Sequence, residues 1–265
     1  MHKPFCLDIL SYFNIEIMNK IYICKTLRYL YDLLNMLKTK RISIHNFFLL
    51  SVFLSALLNI FFVSCKQKVK YSDYTKPSQI ALTKGELTDG DIIFQTNSSD
   101  FSNAIKLATH SNYSHCGIIF RWKGQKYVCE AVQPVGIKLL DDWISFGDSS
   151  HYVVKRLKNA FDILSPEVCC KMVETGKSFL GKNYDNVFGW EDDRIYCSEL
   201  VWKIFQRGAA VEVGKLKLLK DFDLTSELVK AELYKHYNRY IPYDETVISP
   251  EDIFKSPLLI TVKEE

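Results

Sequence analysis

In YSHCGIIFRWKGQKYVCEAV (residues 113–132), two apolar runs flank Lys123-Gly124. Branched and aromatic residues on either side of a glycine turn predict a β-hairpin. His115 sits near the start of the first strand and Glu130 near the end of the second. If the turn makes them direct partners, their Cβ atoms stand about 5 Å apart; if the pairing is displaced by two, they are diagonal neighbours at about 7–8 Å. Either register puts an imidazole and a carboxylate on one face, and only a one-residue slip would separate them. An unpaired carboxylate in so apolar a strand is costly, so Glu130 calls for a partner, and His115 is the available one. The same parity sends Cys116 and Cys129 to the opposite face. They are read as free core thiols, with a strained cross-strand disulfide as the alternative.

Downstream, RIYCSELVWKIFQ (194–206) places Cys197 at the start of an apolar helix whose buried face carries Leu200, Val201, Ile204 and Phe205. A cysteine at a helix N-terminus feels the positive end of the peptide dipoles. With an imidazole beside it, its pKa falls by units from about 8.5. Backbone N–H groups at the same place can hold a developing oxyanion. Of the six histidines, His2 and His45 lie in the N-terminal region, His236 falls on a polar helical face and reads as solvated, and His110, in a polar run after a helix, and His151, at the opening of a strand, read as structural. His115 is the candidate partner.

The other segments are punctuated clearly. LTDGDIIFQT (87–96) reads as a turn and a strand, and SSDFSNAIKLATHS (98–111) as a helix capped by Ser99. HYVVKRLK (151–158) reads as a strand. LSPEVCCKMVETGKSFLGK (164–182) is a helix with Ser165 as cap, Pro166 in the first turn and Gly181 as stop. Cys169 and Cys170 in it read as small core residues. Gly208 is expected to stop the Cys197 helix. Ser226–Tyr237 and SPEDIF (249–254) are further helices. Helix and sheet in separate runs indicate an α+β class.

KTKRISIHNFFLLSVFLSALLNIFFVSCKQK has the layout of an export signal: basic residues, the apolar run Phe47–Val63, then Ser64-Cys65. It resembles a bacterial lipoprotein signal, in which Cys65 is lipidated and becomes the first mature residue; a retained anchor is the alternative. The expected organisation is an upstream extension (1–35) with translation starting at Met36, a signal (36–64), the lipidated Cys65 and a linker (65–85), and a catalytic domain (86–265). The expected location is the bacterial cell envelope, membrane-tethered and facing the periplasm or exterior. Residues 65–265 hold 27 basic and 28 acidic side chains, so nucleic acid is not an expected partner. None of the eight cysteines forms a C-x-x-C pair, and no zinc spacing is present.

Taken in order, LTDGDIIF, SNYSHCGIIF, YVCEAV, GKNYDNVF and YCSELVW resemble the YaeF/YiiX-like permuted papain-like amidases of the NlpC-type superfamily. The histidine strand precedes the cysteine helix, which is the circularly permuted order. The resemblance implies an antiparallel sheet or barrel packed against the helix that carries the cysteine. It implies Cys197 as nucleophile, His115 as general base, Glu130 as the residue orienting it, and Tyr184 beside the oxyanion or substrate, with a packed core tyrosine as the alternative. Asp185, Ser198 and Glu199 are given structural roles. The acids of FGWEDDRI (188–195) either read a substrate amine or face solvent.

The resulting expectation is a cell-envelope cysteine hydrolase that cleaves an amide bond, in a peptidoglycan peptide or related amide, through an acyl-enzyme and with no metal or organic cofactor. Its partners would be a small-molecule or peptide substrate and the membrane. The alternatives are a lipid or N-acyl amidase or acyltransferase on the same triad, marked by an apolar groove beside Cys197, and an inactive binding module.

Overall fold

The computed structural model of the chain describes residues 85–265. The extension, the signal and Cys65 lie outside the described residues. Among the described residues no helix is long and apolar enough to cross a membrane.

Strand β1 (Asp91–Gln95) is followed by helix α1 (Asp100–Thr109), the hairpin β2 (His115–Trp122) and β3 (Gln125–Glu130), then β4 (Gly136–Leu139) and the short helix α2 (Leu140–Ser145). Next come β5 (Val153–Leu157), α3 (Ala160–Ile163), α4 (Pro166–Phe179), β6 (Asn183–Tyr184), β7 (Arg194–Ile195) and α5 (Cys197–Ala209). The chain ends with β8 (Lys217–Leu218), α6 (Glu227–Tyr237), β9 (Thr246–Val247), α7 (Pro250–Phe254) and β10 (Leu259–Glu264).

The main sheet has six strands in the order β10-β5-β1-β2-β3-β4, and every pairing in it is antiparallel. This is the expected α+β arrangement of antiparallel sheet and helices. Strands β10 and β4 lie at its two ends, so among the described residues the strand pairing does not close a barrel.

The period-two rule assigns the strand residues to two cores. Ile92, Phe94, Cys116, Ile118 and Cys129 face the layer formed by α4 and α5. Ile93, Ile119, Val128 and Val154 face the other way, onto Trp143 of α2. Strand β1 is buried along its whole length, which is why it reads as a continuous apolar run.

The caps fall where the sequence puts them. Ser99 accepts from Ser102 N–H at 3.2 Å and Ser165 from Val168 N–H at 3.3 Å. Gly181 takes φ +76° just past α4, a conformation that glycine adopts freely. Gly208 differs from expectation: α5 runs past it, and Ala210 adopts the left-handed terminal conformation. A Cβ on Gly208 would lie 2.6 Å from the Met172 Cα, so this glycine is where α4 and α5 touch. Cys169 and Cys170 are half-buried rather than core residues. Sequence reasoning did not separate out β4, α2 or β10, which are short or lie at the sheet edge.

Candidate active site

The hairpin adopts the register in which Ile118 pairs with Cys129 and Trp122 with Gln125. His115 and Glu130 are therefore diagonal neighbours on one face. The residue facing Glu130 is Gly117. It has no side chain to stand between the carboxylate and the histidine, and a Cβ there would meet Val128 Cγ1 at 2.5 Å. Glu130 thus leans across to His115, whose Nε2 lies 2.7 Å from Glu130 Oε2.

Two further groups hold Glu130. Trp143 Nε1 donates to the same oxygen at 2.7 Å, and Lys138 Nζ stands 3.3 Å from the other. The Trp143 ring also stacks on the His115 imidazole, with centroids 5.8 Å apart. Burial penalises the charge on Glu130, which is only 3% exposed, but the hydrogen bond and charge of His115, Lys138 and Trp143 outweigh it and hold the carboxyl below its usual range. Trp143 was missed at the sequence level. Its signal was a lone tryptophan in an otherwise weak helical run, and nothing local tied it to Glu130.

Cys197 opens α5 and is 2% exposed. The helix start is fixed by Glu199, whose Oε2 accepts from Tyr196 N–H at 3.3 Å, as in a capping box. Ser198 Oγ donates to the Ile248 carbonyl at 2.7 Å. These are structural tasks, as expected of both residues. The Cys197 pKa is driven well below the ordinary thiol value, first by a hydrogen bond from Cys116 and then by the hydrogen bond and positive charge of His115, against the opposing effect of burial. On His115, burial lowers the pKa, but hydrogen bonds and charge from Cys197 and Glu130 raise it to about 10. Thiolate and imidazolium therefore stabilise each other. With Nε2 given to Glu130, Nδ1 is the His115 atom that can exchange a proton with Cys197.

Cys116 is buried and free, like Cys129. Strand parity puts its side chain on the face opposite His115, and it packs in the core that also holds Cys197. Burial, followed by its interaction with Cys197, pushes the Cys116 thiol well above its usual pKa, so it stays protonated. The sequence reading excluded it from the site because parity considers one face at a time. At the first residues of a strand, a group on the neighbouring helix can touch both.

Tyr184 lies beside Cys197. Burial and the Cys197 charge, with a hydrogen bond to Cys197, raise its pKa well above the usual phenol value, so its hydroxyl keeps its proton. Asp185 is buried and accepts from Val187 N–H at 3.0 Å, which fixes the loop as expected. In FGWEDDRI, Asp192 pairs with Lys203 at 2.8 Å and Arg207 at 2.6 Å, both on α5, and Asp193 with Arg194 at 3.6 Å. The Asp192 pairs tie the loop to the helix and engage that carboxylate, whereas Asp193 is 71% exposed. His110 pairs with Asp223 at 3.3 Å and is exposed, while His151 stacks on Tyr113. His236 is not solvated as expected: it lies edge-on to Phe101 and 3.3 Å from Glu232.

A cleft of about 100 Å³ opens at Cys197 and is lined by residues of α1, α6 and the segments 219–224 and 247–250. Among the described residues no three His, Cys, Asp or Glu side chains converge as metal ligands do.

A family model described as "permuted papain-like amidase enzyme, YaeF/YiiX, C92 family" matches residues 86–263. The chain is 47% identical over 176 residues to a protein of Escherichia coli K12 named "uncharacterized protein YiiX", covering 66% of this chain and 86% of that one. It is similar to the crystal structure of YiiX from Escherichia coli O157:H7, described there as a metalloprotein, with TM-score 0.64 and 47% identity over 67% of this chain and 97% of that one. With a histidine strand ahead of a cysteine helix and a match that spans the whole sheet, the chain belongs to the permuted papain-like amidase family of YaeF and YiiX.

Proposed function

We propose that this protein is a cysteine hydrolase of the cell envelope that cleaves an amide bond through a thioester acyl-enzyme. The observation that carries the reading is a buried thiol at a helix N-terminus beside an imidazole that is itself held at 2.7 Å by a buried carboxylate. In this reading the Cys197 thiolate attacks the carbonyl carbon and a C–S bond forms. The oxyanion is met by the N–H groups of the first turn of α5, which have no intrahelical partners, and by the Tyr184 hydroxyl. The His115 imidazolium passes its proton to the leaving nitrogen as the C–N bond breaks. His115 then takes a proton from water, which attacks the thioester and releases the acid. Glu130 keeps the imidazole in one tautomer and orientation throughout, and no step needs a metal or organic cofactor.

The N-terminal signal supports a membrane-tethered location facing out of the cytoplasm, with Cys65 as the lipidated residue. Of the two substrate classes, cell-wall peptide and fatty-acyl amide, the lining of the cleft next to Cys197 favours the second. The hydrolase reading is tested by incubating the full chain with chromogenic amides and taking intact mass spectra at early times. The expected result is an acyl adduct on Cys197 and no turnover in Cys197→Ala. Turnover that survives Cys197→Ala overturns the mechanism, and the absence of both adduct and turnover favours a binding module.

A further inference from the structure

We propose that Gln95 holds the water that hydrolyses the thioester, on the flank of His115 opposite Glu130. This rests on Cys197 being the nucleophile. The first argument is register. Strand β2 lies between β1 and β3, and the β1 residue directly opposite His115 is Gln95. Direct partners in an antiparallel pair point to one face, with Cβ atoms about 5 Å apart. Glu130 reaches the imidazole from the β3 side at 2.7 Å. His115 is therefore flanked by a carboxylate from one strand and a carboxamide from the other.

The second argument is burial without a partner. Gln95 is 6% exposed, and among the described residues its Oε1 is a buried acceptor with no hydrogen bond. Such an atom is costly to the fold, and an apolar side chain of the same length would fill the place without that cost. Native structures rarely keep one unless it serves a reaction or a bound water. The fold also makes room for the carboxamide. The Trp143 ring stacks on His115 with centroids 5.8 Å apart, and four residues later Gly147 lies against Gln95. A Cβ on Gly147 would stand 2.6 Å from Gln95 Oε1 and 3.4 Å from its Cβ. Gly147 has φ −77°, which any residue adopts, so space rather than backbone conformation calls for a glycine there.

The third argument is what the second half of the reaction needs. Once His115 has given its proton to the leaving nitrogen, it is neutral and must take a proton from water on the side the amine has left. A buried water makes about three hydrogen bonds, so His115 alone does not orient it. Glu130 is not available for this: its Oε2 takes His115 and Trp143, and its Oε1 faces Lys138 at 3.3 Å. Gln95 Oε1 accepts one O–H of the water while His115 takes the other. The water oxygen then bonds to the thioester carbon, its proton passes to His115, and the C–S bond breaks. The acid departs and Cys197 is left as thiolate beside imidazolium.

The test uses the full chain and 4-nitrophenyl acetate, an activated ester. Its acylation step appears as a burst of nitrophenolate, and deacylation sets the steady rate that follows. In Gln95→Met, which keeps the side-chain length, the burst is expected to persist while the steady rate falls about 10-fold or more. Intact mass spectra should show the acetyl adduct accumulating on Cys197, and added hydroxylamine, a stronger nucleophile than water, should restore most of the turnover. Gly147→Ala displaces the carboxamide without removing it and is expected to give the same split to a smaller degree. If Gln95→Met does not fold, the burst and steady rate of Gly147→Ala decide. Equal losses in burst and steady rate, or a steady rate that neither variant changes, overturn the role of Gln95. They leave the hydrolase reading intact as long as the native burst is absent from Cys197→Ala. A native protein with neither burst nor turnover overturns both.

Discussion

At the scale of single residues, the site depends on where the carboxylate charge of Glu130 goes. One oxygen takes both His115 Nε2 and Trp143 Nε1, each at 2.7 Å. Trp143→Phe keeps the ring over His115 but removes a donor to a buried acceptor. It is expected to cost about 1–3 kcal/mol, seen as a lower denaturation midpoint. The sign of its pH effect follows from the causes. The Glu130 pKa is held down in the fold by His115, Lys138 and Trp143, so the stability it contributes is lost as pH falls through its folded value. Losing one donor raises that value, and the acid limb of stability and of turnover should move to higher pH in Trp143→Phe. An unmoved limb would show that Trp143 only packs. The His115–Glu130 pair could be found from sequence because hairpin parity is an exact rule. Trp143 and Cys116 could not, because each reaches the site from a direction that local periodicity does not encode.

Between elements, the helix layer is set by a contact that the sequence suggested for a different reason. Gly208 reads as a helix stop, and a glycine near the end of an apolar helix usually supports that reading. Its actual service is to let α5 lie against Met172 of α4, where a Cβ would be 2.6 Å from the Met172 Cα. Gly208→Ala gains about 1 kcal/mol of helix propensity. Overpacking costs about 1–3 kcal/mol and displaces α5 with Cys197 on it. The expected outcome is a net loss of stability in urea unfolding, together with slower Cys197 alkylation. A stabilised variant would mean that the helices can separate without cost. Buried Lys203 reinforces the same helix: it meets Glu199 at 2.6 Å and Asp192 at 2.8 Å and so joins the 188–195 loop to α5. The sequence left two readings of that loop's acids, and the partner bases on α5 decide against substrate recognition by Asp192.

Across the whole molecule, the sheet brings the N-terminal strand and the later β5 together at its centre, and a buried ion pair marks the join. Asp91 of β1 takes Arg156 Nε at 2.6 Å and Nη2 at 2.7 Å. Arg156→Ala leaves a desolvated carboxyl without its partner, a loss of about 3–5 kcal/mol. For a domain of this size that corresponds to a fall in Tm of roughly 10 °C, measurable by calorimetry. The α+β class and the succession of most elements were legible in the sequence because caps, turns and apolar periodicity are local signals. The strand order was not, since pairing of β1 with β5 and of β5 with β10 depends on contacts far apart in the chain. The apolar cleft was also hidden, because α1, α6 and two loops each supply only part of its wall.

The central claim is that Cys197 is a thiolate because His115 and its neighbours make it one. The most direct test is the rate at which iodoacetamide alkylates Cys197, followed by peptide mass across pH 4–10 in the native chain and in His115→Ala. The account predicts alkylation that persists far below pH 8.5, the range in which ordinary thiols lose reactivity, and a clear shift of the profile toward higher pH in His115→Ala. A native profile that falls off near pH 8.5, or one that His115→Ala leaves in place, would contradict it.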